Sequence, residues 1–123
     1  MRHPAPHCLK PSLLQRPITV VVVGCGGTGS ALLTGLPYLH HALLAAGHPY
    51  GLHVSAVDGD RISATNCVRQ PFTTSEIGLY KAQVLMQRLN VFHGLRWIAH
   101  PTEVRHGIDL PDCDFSVRVN FFL

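Results

Sequence analysis

The chain has 123 residues, 46% hydrophobic and 14% charged, enough for one small domain with a modest core and too short for a multidomain enzyme. Ten Lys and Arg against seven Asp and Glu leave a net charge of +3, too slight a bias to argue for nucleic acid or an anionic membrane. The charge is uneven, however: residues 1–57 carry Arg2, Lys10 and Arg16 and no acid, a distribution that suits an anionic ligand and that chance also produces.

Residues 1–17 read as a Pro-rich leader, with no apolar run long enough for a signal-peptide core. The longest apolar stretch, residues 18–23, is far short of the roughly 20 residues a membrane span needs. Cys8, Cys25, Cys67 and Cys113 contain no CxxC pair, so they read as reduced thiols of a cytoplasmic protein. Among nine histidines, His3 and His7 with Cys8 hint at a metal site. They repeat no ligand spacing, and Pro4 and Pro6 prevent a helix from aligning them. The other seven fall near predicted helix ends and turns, where surface or rim positions account for them.

In chain order, residues 18–23 are β-branched throughout and predict a strand buried on both faces. Gly24, Gly26, Gly27 and Gly29 then turn into a helical pattern of Leu32, Leu36, Leu39 and Leu43, running to about Ala46. Pro37 inside it predicts a kink or a short break near Leu36. A breaker cluster at residues 47–51 precedes a second strand over residues 52–57, with Asp58 at its end. Thr73 and Glu76 form a capping-box signature ahead of a second long helix whose apolar face starts at Ile77 and runs to about Val91. Residues 95–99 predict a third strand and residues 115–119 a fourth. Strands alternating with helices imply right-handed crossovers. The fold class is therefore α/β, a Rossmann-like doubly wound parallel sheet with helices on both faces, of which residues 18–123 supply the N-terminal half only.

Gly24, Gly26 and Gly29 satisfy GxGxxG between a strand and a helix, a turn that aims backbone N–H groups and a helix N-terminus at a phosphate. An ordinary tight turn is the bland alternative. Asp58 is placed to accept ribose hydroxyls, as in nicotinamide-binding domains, yet 29 residues separate it from Gly29 where about 20 are usual. The segment from Asp58 onward is unusually polar: Asp58 and Asp60, then Asn66, Arg69 and Gln70, then Gly78 and Lys81. Each alone reads most simply as a solvated turn or helix-flanking charge. The ordered set resembles the ubiquitin-activating-like superfamily of ThiF and MoeB, whose pattern is GxGGxG, a strand ending in DxD, NxxRQ and GxxK. The surrounding sequence looks most like the ThiF proteins of the PRTRC cassette. The resemblance covers roughly residues 11–104.

The resemblance implies ATP and Mg²⁺ as cofactors, and adenylation of the C-terminal carboxylate of a small ubiquitin-like or sulfur-carrier protein by a homodimer. It places Asp58 on the ribose and Asn66, Arg69 and Lys81 on the phosphates, with Arg69 and Lys81 as the catalytic cations. That assignment makes chemical sense, because carboxylate and α-phosphate repel and fixed cations and donors must offset their charge. Cys25 and Cys67 read as small packing residues and not as an acceptor thiol. The family's metal-binding aspartate follows an apolar strand, a pattern absent around Asp109, Asp112 and Asp114, so no metal ligand is assigned. Two alternatives stay open on the sequence: a nicotinamide-dependent oxidoreductase domain, and a non-catalytic remnant or interaction module.

Overall fold

A computed structural model describes residues 11–104 and 110–119. The β-branched run Ile18–Val23 forms strand β1, and Leu52–Val57 forms β2, paired with it in parallel from Ile18 against Leu52 to Val23 against Val57. Two short strands complete the sheet: β3 (Ile98–His100) pairs with β2, and β4 (Phe115–Arg118) pairs with β1. All pairings are parallel and the order is β3-β2-β1-β4. The chain thus steps outward twice from β1 and then returns to its other side, so a topological switch lies between β1 and β4.

Helix α1 (Gly27–Ala45) carries the chain from β1 to β2, and α3 (Lys81–His93) carries it from β2 to β3; between them lies the single turn α2 (Asn66–Arg69). α1 and α3 touch each other and share one face of the sheet, because two right-handed crossovers in the same direction turn the same way. Leu33 and Leu36 of α1 and Leu85, Met86 and Leu89 of α3 meet Val20, Val22, Val54 and Ala56 there to form the core. The crossover that would lead to the other face of a doubly wound sheet is the one between β3 and β4, which includes residues outside those described.

α1 runs unbroken through Pro37, so the chain does not break near Leu36. Leu33, Leu36 and Pro37 are all buried, and this packing offsets the backbone bond that proline removes. The capping box of Thr73 and Glu76 forms, but it caps a 3-10 turn, Thr74–Glu76, and not the long helix. Gly78, with φ +92°, turns the chain between them, and α3 starts only at Lys81. The third strand is also shorter than expected. Asn90 of α3 accepts the Trp97 N–H and donates to the Trp97 carbonyl, each at 2.9 Å, occupying backbone that would otherwise pair with β2.

Histidines contribute more to the fold than rim positions would. His48 is buried; its Nδ1 accepts the N–H groups of Tyr50 (3.1 Å) and Gly51 (2.8 Å), which leaves Nε2 to donate to the Leu13 carbonyl at 2.6 Å. His40 Nδ1 likewise accepts the Leu52 N–H at 2.9 Å, and burial first, then the neighbouring His41, pushes its pKa down. At the other edge Arg16 donates two bonds to Asp114, at 2.6 and 2.7 Å, while Asp114 also accepts the Thr19 N–H and hydroxyl. Asp114 therefore ties β4 to β1. His3, His7, Cys8, Asp109 and the last four residues lie outside the described residues.

Candidate nucleotide site

At the carboxyl ends of β1 and β2 the parallel strands splay into loops and leave a cavity of about 270 Å³, lined by Gly24, Asp58, Gly59, Asp60 and residues 102–104. Open α/β sheets bind ligands at such an edge. Two of the four glycines are required there by geometry. Gly24 has φ +101°, and a Cβ on it would lie 2.8 Å from the Val119 carbonyl oxygen. A Cβ on Gly29 would overlap the Gly24 carbonyl, so α1 can approach the end of β1 only with hydrogen at that position. Gly27, which begins α1, has open space around it, and Gly26 precedes it as the N-cap with no side chain to cover the first amides. A helix end of this kind favours an anion.

Asp58 is fixed by three backbone bonds. Its N–H donates to the His100 carbonyl of β3 at 3.1 Å. One carboxylate oxygen accepts the Cys25 N–H at 2.6 Å and the other accepts the Asp60 N–H at 2.7 Å. The acid that ends β2 thereby holds the glycine turn that ends β1. Cys25 itself is buried, and desolvation, reinforced by the charge of Asp58, pushes its thiol up to about 12. A thiol so protonated is a poor nucleophile at neutral pH.

Lys81, at the first position of α3, is the buried cation of the site, with its side chain 7% exposed. Its N–H donates to the Asp60 carbonyl at 3.1 Å, and Nζ lies 3.8 Å from the Asp60 carboxylate, which is 66% exposed. The glycine turn, Asp58, Asp60 and Lys81 are therefore joined by direct contacts. The NxxRQ segment stands apart from that set. Asn66 turns its Oδ1 to the N–H and hydroxyl of Ser63, at 2.8 and 2.9 Å, and so starts α2. Arg69 ends α2, exposed and with no hydrogen bond or ion pair among the described residues. Gln70 keeps Oε1 buried, with no partner among the described residues. Ile62 and Phe72, both buried, anchor the two ends of the segment in the core.

Sequence reasoning missed Arg61 and Tyr80. The Arg61 guanidinium lies 4.5 Å over the Tyr80 ring, and it donates to the Gly78 carbonyl and the Tyr80 hydroxyl at 3.0 and 3.1 Å. Their places, directly after DxD and inside GxxK, were visible, but nothing in the spacing says that the two segments pair.

The residues fit an adenine nucleotide: glycines that admit a phosphate close to the main chain, an uncapped helix start, an acid for a ribose diol and a buried ammonium. They do not show a metal site. Among the described residues no three His, Cys, Asp or Glu side chains converge as ligands, and Asp114, the nearest to a candidate by sequence position, is held by Arg16 and Thr19. No helix of the described residues is long and apolar enough to cross a membrane.

The model of the ThiF family matches residues 14–100. No curated protein sequence matches the chain. Among solved structures, E. coli MccB superposes with a TM-score of 0.59 at 25% identity over 88% of this chain and 30% of its own. E. coli MccB with ATP gives 0.56 at 24% over 80% and 28%. E. coli tRNA N6-threonylcarbamoyladenosine dehydratase, TcdA, in complex with AMP gives 0.50 at 26% over 71% and 32%. The chain thus spans under a third of the length of each of these structures.

Proposed function

The chain belongs to the ThiF family, and from that premise we propose that it is the nucleotide-binding part of an adenylating enzyme that activates a carboxylate with ATP. The carboxylate is the C-terminus of a small ubiquitin-like or sulfur-carrier protein. One carboxylate oxygen attacks the α-phosphorus, the bond to the β-phosphate oxygen breaks, and pyrophosphate leaves an acyl-adenylate.

The single observation that carries the reading is that Asp58 ties the glycine turn to Asp60 at one cavity and that Asp60 in turn contacts the buried Lys81. The glycine turn and the start of α1 receive a phosphate, and Asp58 receives the ribose hydroxyls. Lys81 offsets charge as the carboxylate and phosphate approach, an interaction strengthened by its burial. Arg69, exposed and uncommitted among the described residues, is available to fork two donors onto phosphate oxygens. Asn66 and Gln70 shape the loop that carries it. Mg²⁺ supplies charge neutralisation in the resemblance; among the described residues no three His, Cys, Asp or Glu side chains cluster as ligands, and no residue is assigned to it.

A nicotinamide-dependent oxidoreductase would use the glycine turn and Asp58 but has no task for a buried ammonium at the phosphate end. The proposal is tested by comparing AMP with a non-hydrolysable acyl-sulfamoyl adenosine in calorimetric titrations. Adenylating sites are complementary to the acyl-phosphate, so the analogue should bind at least about 100-fold more tightly. Equal affinities would contradict an adenylating role.

A further inference from the structure

We propose that Arg61 and Tyr80 are positioning residues that set the place of Lys81 at the nucleotide site; the inference rests on the reading of Lys81 as a phosphate-facing cation. Lys81 is not anchored by a short contact of its own, since 3.8 Å to Asp60 is longer than a hydrogen bond. Where its ammonium sits is therefore decided by where α3 begins. That helix start has no side-chain cap, because its N-cap residue is Tyr80.

What fixes the helix start is a small antiparallel pairing of residues 60–62 with residues 78–81. The Gly78 N–H donates to the Ile62 carbonyl and the Ile62 N–H to the Leu79 carbonyl, both at 2.8 Å, and the Lys81 N–H reaches the Asp60 carbonyl at 3.1 Å. Arg61 bridges Tyr80 in the middle of this pairing. Its guanidinium spans the turn, with one nitrogen on the Gly78 carbonyl before the helix, another on the Tyr80 hydroxyl, and the charge over the Tyr80 ring. A planar fork that uses two donors and a cation–π face at once is specific to arginine. Arg61 thus couples the loop bearing Asp58 and Asp60 to the element bearing Lys81.

The test combines ATP titration with amide exchange on the whole chain, in Arg61→Ala, Arg61→Lys, Tyr80→Ala and Tyr80→Phe. Exchange at the Lys81 and Ile62 amides should rise about tenfold in Arg61→Ala and Tyr80→Ala while Val22 and Leu85 keep their protection. ATP should bind both alanine variants about tenfold more weakly, and Arg61→Lys and Tyr80→Phe should fall between them and the wild type. Faster exchange with unchanged ATP affinity would reduce the pair to a structural contact and overturn the proposal. Weaker binding in Arg61→Ala with Tyr80→Ala unaffected would make Arg61 a direct phosphate ligand and overturn it too. If the wild type binds no ATP, the adenylating reading falls, and unchanged Lys81 exchange in Arg61→Ala would separately refute the clamp.

Discussion

The Asp58 carboxylate accepts the Cys25 N–H at 2.6 Å, so the acid that ends one strand holds open the turn that ends its neighbour. Since its other oxygen accepts the Asp60 N–H, one side chain organises two of the three segments that line the cavity. Asp58→Asn keeps one acceptor oxygen and loses the charge, and should weaken ATP about tenfold, the loss of one charge-assisted bond. Titration of the purified variant checks this, and wild-type affinity would remove Asp58 from the site.

Gly29 and Gly27 should respond in opposite ways to the same added methyl group. Gly29→Ala drives Cβ into the Gly24 carbonyl, and separating α1 from β1 should cost about 3 kcal/mol. Gly27→Ala enters open space and should leave stability within about 0.5 kcal/mol of the wild type. Denaturant melts of the two variants measure the difference.

Arg69 should matter to the ligand and not to the fold, given its exposure and lack of partners among the described residues. Arg69→Ala should melt as the wild type does and bind ATP about tenfold more weakly. Unfolding without a separate effect on binding would make Arg69 structural.

β1 and β2 were legible to the residue, because an unbroken β-branched run and an alternating one each end at a chain reversal. So was the glycine turn, whose demands are local. The start of α3 was not, since Thr73 and Glu76 look identical whether they cap a 3-10 turn or a long helix, and Gly78 decides between the two. The short β3 was equally hidden, for it depends on Asn90 reaching Trp97 across the helix end. Among site residues, Asp58 could be named from its place at a strand end and Lys81 from the family resemblance, while the burial of Lys81 and the clamp of Arg61 on Tyr80 arise only when the two segments pair. Asp114 shows the reverse case, an acid near the expected metal position that the fold spends on Arg16 and Thr19.

The contacts of Asp114 make stability fall in acid. The Arg16 hydrogen bond, followed by the Thr19 N–H, holds the Asp114 carboxyl well below the usual carboxylate range. A folded pKa below the unfolded one gives stability that is complete above about pH 4 and is lost as pH falls toward the folded value. Asp114→Ala should cost roughly 2 kcal/mol at neutral pH, and its melts should lack this part of the acid loss below about pH 4. Parallel pH series of urea melts on the two proteins isolate the difference.

The central claim, an adenine nucleotide held by the glycine turn and Asp58 with its phosphates toward Lys81, is tested most directly by calorimetric titration with ATP and with NAD, on the wild type and on Lys81→Met. ATP should bind the wild type at least about tenfold more tightly than NAD, and Lys81→Met should abolish that preference by weakening ATP alone. Tighter binding of NAD than of ATP, or an unchanged ATP affinity in Lys81→Met, would contradict it.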